Sequence, residues 1–439
     1  MKDRGRKAIR RRSVCAAAAS AFCAATAPSH AQDAGRALTG TVAAEPNPYY
    51  LGVGEAITYD SNVYRIPSGP SDVYSSTSLF GGFDQPISRQ RVFGRANVSM
   101  NRYQDENRLN NTGYDLAAGA DLATIENISG NVNLGLSHNL SAPSAAVGTP
   151  TAARNIADTQ HADARLRWGG VSLLTVEGSA GYTRVDYSAP EYASSETRQT
   201  RGGVALYYRP GAFLRLGVGG RYDRSRQPEA VVDPATGISG SNTTTRKNVD
   251  LLAEYTYSSV LSGNARLSYT RQTNSAITGA DFSGLTGSIG VTYRPGARTT
   301  VRFDASRDAG LSAETQDRYA VVQVGTGVTL TPVSALYENN RVTTSFSLGA
   351  TYEVTAKIGA DAKLRYSRAH LVSAAGVAAG TTADSTDVFK GATAGLTYAI
   401  TRAWGASCSL GYESRDVSGA VVYSYNASTV GCSTQFVWR

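Results

Sequence analysis

From about Tyr49 to the last residue the chain alternates between apolar and polar positions, and no other periodicity is sustained. In Arg215 to Tyr222 the apolar Leu216, Val218 and Tyr222 alternate with Arg215, Gly217, Gly219 and Arg221. The same period recurs in segments ending at Leu136, Trp168, Tyr182, Tyr257, Tyr269, Tyr293, Tyr352, Tyr366, Tyr398 and Tyr412. A period of two puts one greasy face and one wet face on each strand. Helical spans are excluded, because no apolar run of about 18 residues follows the N-terminal leader. A barrel crosses a membrane without such a run, since its lipid-facing residues occupy every second position.

The spacing between the alternating segments also alternates. Short turns follow Trp168, Tyr208, Tyr257, Tyr293, Tyr352 and Tyr398, and longer polar loops at 141–157, 186–197, 226–243, 274–281 and 369–386 separate them. Short periplasmic turns and long outer loops belong to outer-membrane barrels. The expected fold is therefore all-β, an antiparallel up-and-down transmembrane barrel of about 18–20 strands, the range given by spans of about nine residues each. Residues 319–340 read equally as one strand or as two around 325–331, and two periplasmic termini require an even total. A soluble β-sandwich or propeller is the competing fold, but it gives no reason for tyrosines and tryptophans to cluster beside the short turns. That cluster, Trp168, Tyr208, Tyr257, Tyr293, Tyr352, Tyr398, Trp404 and Trp438, forms a candidate periplasmic aromatic girdle.

The first residues explain the charge. Lys2, Arg4, Arg6, Lys7, Arg10, Arg11 and Arg12 precede an alanine-rich apolar stretch, and Ser29-His30-Ala31 offers a cleavage site, so residues 1–31 read as a signal peptide. Phe22 before Cys23 disfavours a lipoprotein, and the residues after Arg11-Arg12 make a poor twin-arginine motif. The formal charge of +8 falls close to neutral once the leader is removed, which excludes a nucleic-acid partner. Residues 32–46 then form a short extension and 47–439 the barrel, in the Gram-negative outer membrane. The partners expected are outer-membrane lipid and the barrel assembly machinery.

Enzymatic signals are lacking. His138, His161 and His370 sit in no metal or catalytic spacing, so no catalytic residue, cofactor or metal is expected. Cys408 and Cys432 lie equidistant from the centre of the closing hairpin, opposite each other across it, and in an oxidising compartment a disulfide is expected. The wet phase of the strands gives a candidate lumen wall: Arg91, Arg95, Asn97, Asn101, Asp115, Asp121, Arg165, Arg167, Glu177, Arg215, Arg221, Asp250, Glu254, Arg266, Arg302, Asp304, Asp361, Lys363, Arg365 and Glu413. Its signs are mixed, whereas an anion-selective pore wants a ring of one sign.

The segment NPYYLGVGEAITYDSNVYRIPSG (47–69), with its Tyr59-Asp60-Ser61-Asn62 turn, resembles the opening of the EpsL-like outer-membrane barrels of exopolysaccharide operons, a β-barrel porin family. SRQRVFGRANVSMNRY (88–103), NNRVTTSF (339–346) and YSYNASTVGCSTQF (423–436) are similar to the same family. The resemblance implies exopolysaccharide export, with a polysaccharide substrate and periplasmic export proteins as partners. Read from the residues alone, Asp60 and Asn62 are turn formers. A general or sugar-uptake diffusion porin and a non-conducting structural barrel are the alternative functions.

Overall fold

The computed structural model describes residues 48–438, apart from 125–126, 142–153, 170–171, 233–238, 276–280, 312–317, 325–326, 334–339, 372–384 and 419–423. The expected signal peptide (1–31) and extension (32–46) lie outside the described residues. Twenty strands follow in order: β1 (Tyr49–Asp60), β2 (Asp72–Ile87), β3 (Gln90–Tyr103), β4 (Asn111–Ala123), β5 (Ile128–Leu140), β6 (Ile156–Trp168), β7 (Leu174–Tyr187), β8 (Thr197–Tyr208), β9 (Leu214–Val232), β10 (Ser239–Thr256), β11 (Leu261–Asn274), β12 (Phe282–Gly296), β13 (Thr299–Leu311), β14 (Arg318–Val324), β15 (Gly327–Val333), β16 (Asn340–Glu353), β17 (Ile358–Leu371), β18 (Ser385–Ala399), β19 (Trp404–Ser418) and β20 (Tyr425–Trp438).

Eighteen of them form one closed antiparallel barrel. Each strand pairs with its sequence neighbour, β13 pairs with β16, and β20 returns to β1 with Leu51 opposite Trp438 and Asp60 opposite Thr429. Closure leaves no edge, so every strand finds partners for its backbone groups inside the bilayer. The ambiguous stretch resolves into β14 and β15, which pair only with each other within the loop between β13 and β16. The even count survives because this hairpin never enters the wall.

The alternation is realised as two faces. Leu51, Ile57, Leu79, Leu166, Val249 and Leu267 are half exposed or more, as befits side chains meant for lipid. Their neighbours in the opposite phase, such as Thr58, Glu177, Asp250 and Ser268, are buried among polar groups of adjoining strands. The girdle residues end or begin their strands at the end that carries the short turns, and they are from 45% (Tyr293) to 62% (Trp168) exposed. Both barrel termini are at that same end, which the turn lengths mark as periplasmic. The wall rises further than sequence suggested on one side: β9 and β10 extend to Val232 and from Ser239, well into the loop anticipated over 226–243.

A small apolar cluster sits at the outer mouth. Val63, Tyr64 and Leu109 are buried together, with Ile66, Tyr103 and Leu140 packed against them. This cluster joins the β1–β2 loop to a short 3-10 turn, Asn107–Leu109, between β3 and β4.

Candidate functional site

The lumen wall is the candidate site. All the charged residues proposed for it occupy the polar phase of their strands, opposite in phase to the exposed apolar set. Most do not stand alone. On β6 to β10, Arg167 Nε lies 2.5 Å from Glu177, which Arg165 also approaches at 3.3 Å. Arg167 reaches towards Glu254 at 3.9 Å, and Arg215 holds that carboxylate at 2.6 Å. The Arg215 guanidinium also lies over the Tyr207 ring, 4.6 Å from its centroid. That ring lies against the wall because the facing residue is Gly217, where a Cβ would come within 2.6 Å of it.

Nearer the outer mouth, Arg221 grips Asp250 with two bonds of 2.6 and 3.1 Å, and Ser268 donates to the same carboxylate at 2.5 Å. A ladder of hydroxyls and amides continues from there: Thr270 donates to Asn248 at 2.7 Å, Thr270 and Thr286 share a 2.7 Å bond, and Asn248 donates to Asp223 at 3.2 Å. Arg266, 6% exposed, faces this group with Nε and Nη1 unbonded among the described residues. Elsewhere Arg302 pairs with Asp304 at 2.9 Å, Arg91 with Asp84 and Asp121, and Asn139 donates to Asp115. Arg95, Asp361, Lys363 and Arg365 occupy the same face. Such pairs neutralise charge locally while leaving the wall hydrophilic.

Several lumen residues escaped the sequence reading. Asp223, Arg246 and Asp308 belong to the Arg221 neighbourhood, with Arg246 3.5 Å from Asp308. Asp387 and Arg415 form a buried pair on β18 and β19, with bonds of 3.1 and 2.5 Å. The alternation extended past the assumed membrane edge would have found them.

Arg65 had no such signal. It sits in the β1–β2 loop with φ of 54°, an uncommon backbone state for a side chain of its size. From there it bonds both carboxylate oxygens of Asp60 at 2.8 Å and the carboxylate of Glu413 on β19. The Tyr59–Asn62 turn thus has a definite job at the seam. Asp60 accepts from the Asn62 backbone N–H, Asn62 donates to the carbonyls of Ile66 and Asn426, and Ser61 exchanges two bonds with Ser428 on β20. First and last strands are latched at the outer end.

Beside the latch, Tyr64 donates a 2.7 Å hydrogen bond to Glu106, and Arg108 approaches the same carboxylate at 3.0 Å. The Tyr64 hydrogen bond, helped by Arg108, holds the Glu106 carboxyl below its ordinary value, and burial with Glu106 nearby pushes the Tyr64 hydroxyl up to about 12. A carboxyl whose pKa is depressed by folding stabilises the fold above its unfolded value, roughly 4.3, and that contribution fades as pH falls below it. The protection of backbone amides 104–110, after correction for the intrinsic exchange rate, is expected to fall between about pH 5 and pH 3, and Glu106→Gln to abolish that fall.

The closing hairpin, β19–β20, is cross-linked on the lipid side. Cys408 and Cys432 stand directly opposite in the β19–β20 register with Cα atoms 4.1 Å apart, and they form a disulfide. His161 lies on the lumen side over Gly135, whereas His138 stacks on Tyr114 and bonds Asp158 at 2.6 Å on the outer side. No cluster able to hold a metal occurs among the described residues.

No family model matches the chain, and no curated protein does. Similar solved structures include Pseudomonas aeruginosa OccK1 (OpdK), with 11% identity and a TM-score of 0.45 over 89% of this chain and 99% of that one. Another is P. aeruginosa OccK2 (OpdF) in complex with glucuronate, with 12% identity and a TM-score of 0.44 over 89% and 98%. A third is the siderophore receptor PirA of Acinetobacter baumannii, with 8% identity and a TM-score of 0.45 over 90% and 81%. The expectation of exopolysaccharide export is corrected by these results. It rested on likeness to EpsL-like barrels, which no family model carries, whereas the solved barrels found include OpdK with vanillate and OccK2 with glucuronate. The physical reason is local: the Tyr59–Asn62 motif is consumed in latching the seam, so it speaks of closure and carries no information about cargo. Fold and wall together make the chain a closed, antiparallel 18-stranded β-barrel with a hydrophilic, charge-paired lumen.

Proposed function

We propose that the barrel is a diffusion pore for small hydroxylated solutes, sugars among them. The observation that carries this reading is the lumen wall of β6 to β12. Its Glu177, Glu254 and Asp250 carboxylates are held by Arg167, Arg215 and Arg221, and Ser268, Thr270, Thr286 and Asn248 form a run of hydroxyl and amide groups beside them. Such a wall replaces the hydrogen bonds of a hydrated sugar without the strong field of a one-signed ring. Mixed charge also predicts weak ion selectivity.

Proteoliposome swelling tests the proposal. Glucose and other monosaccharides are expected to enter at rates falling smoothly with size, and glucuronate at a comparable rate. In planar bilayers, a tenfold salt gradient is expected to give a reversal potential that corresponds to less than about threefold preference for either ion. Absence of conductance and of swelling would leave a structural barrel instead.

A further inference from the structure

Four ascending strands carry one triplet at one height: Tyr182-Thr-Arg184 on β7, Tyr222-Asp-Arg224 on β9, Tyr269-Thr-Arg271 on β11 and Tyr366-Ser-Arg368 on β17. Residues two apart share a face, and these tyrosines are 37–56% exposed in the phase of the lipid-facing leucines. The arginines therefore leave the barrel outwards. Tyrosine rings prefer the boundary between hydrocarbon and headgroups, and the arginines lie one further step towards the outer mouth, about 5 Å along a tilted strand. That is headgroup depth.

The register turns the triplets into a strip. Arg184 stands opposite Arg198 on β8, Arg198 opposite Arg226 on β9, and Lys247 on β10 opposite Arg271 on β11. Like charges directly opposed on one sheet face destabilise it. Arg184 has Asp186 at 2.6 Å, but Arg198, Arg224, Arg226, Lys247 and Arg271 are without a carboxylate partner among the described residues. The lumen face of the same strands is arranged differently, with Arg215 on Glu254 and Arg221 on Asp250. Some other outward charges are matched, with Lys390 3.4 Å from Asp416 and His138 bonded to Asp158. Arg102, Arg307 and Arg368, unmatched among the described residues, each stand on a separate strand away from β8 to β11. Unneutralised positive charge is thus concentrated on the outer face of β8 to β11.

Below the strip, the same side of the wall is hollowed. A concavity of about 950 Å³ spans it, lined by Leu206, Leu216, Leu251, Leu267, Leu285 and Phe346, among others. An occupant of the whole surface needs anionic groups above and hydrocarbon chains below.

We propose that the strip and hollow dock a phosphorylated glycolipid of the outer leaflet, with its phosphates between the opposed basic residues and its acyl chains in the concavity. Phosphate oxygens accept paired bonds from guanidinium groups, which suits a surface built mainly of arginine. The opposed like charges then become shared ligands of one anion, and their repulsion becomes attraction to it. This inference is independent of what passes through the pore.

The test uses the full barrel in neutral detergent and the variant R198Q/R226Q/K247Q/R271Q, with native mass spectrometry as readout. Diphosphoryl lipid A is expected to bind the wild type at least fivefold more tightly than the variant, dephosphorylated lipid A to bind both alike and weakly, and inorganic phosphate to give no retained adduct. Thermal unfolding supplies a second readout. In lipid-free micelles the variant is expected to melt higher than the wild type, because the like charges are gone, and with diphosphoryl lipid A the order is expected to reverse. Equal binding by the two proteins, binding indifferent to phosphate removal, or a variant that fails to fold or melts lower in both conditions would overturn the proposal. Single-channel conductance is expected to be the same in both proteins, so the outcome does not depend on the pore reading.

Discussion

Replacing Arg65 with alanine is expected to lower the stability of the barrel by about 3–5 kcal/mol, the cost of removing one member of a buried charge cluster. Its side chain is 5% exposed, and its two acidic partners, Asp60 and Glu413, are 11% and 13% exposed. Without the guanidinium, two carboxylates are left close together with no cation and little water. The loss should appear as a lower urea midpoint for the folded band on unheated gels. Two companions separate charge from backbone. Arg65→Gly tolerates the positive φ and should be about as harmful as alanine if charge dominates, since glycine there relieves only the strain. Glu413→Gln leaves Arg65 on Asp60 and should cost clearly less. A milder loss in R65G than in E413Q would refute the charge account.

The second large effect is expected at the disulfide. Cys408 and Cys432 are 24 residues apart, and tying the ends of a loop of that length restricts the unfolded chain by roughly 3 kcal/mol in the chain-entropy model. Cys408→Ser with Cys432→Ser should therefore lower the stability by at least that amount. The thiols face lipid, so serine adds a polar group on the wrong side of the wall. The Cys408→Ala and Cys432→Ala pair avoids this, and it should lose only the cross-link contribution. Mild reduction of the wild type should reproduce the alanine pair, and equal midpoints with and without reductant would count against the cross-link.

Much of the architecture was legible because a barrel writes its fold locally. Period two, turn length and the aromatics beside the short turns each need only a few neighbouring residues, and they gave the antiparallel strand directions and the even count. The cysteine pairing was legible for the same reason, since a hairpin's register follows from its centre. The latch was not. Arg65 meets Glu413 across 348 positions, through a loop whose backbone takes an unusual turn at Arg65 and again at Ser68. The hairpin β14–β15 has the alternation of a wall strand, and pattern alone could not say that it pairs only with itself. The outer basic strip was overlooked for another reason: charge was sought on the lumen phase, and residues such as Arg198 and Lys247 stand in the other.

The meeting of β1 and β20 has a further consequence. Leu51 and Trp438 are paired neighbours, so the two ends of the wall emerge side by side at the turn-bearing rim. The strand order is then a cycle, and where the polypeptide starts along it is an accident of the gene. A chain joined from 438 to 49 by a few residues and reopened at another short turn, such as that between Tyr208 and Leu214, would have the same neighbours throughout. Circularly permuted versions of this barrel should assemble the same pore.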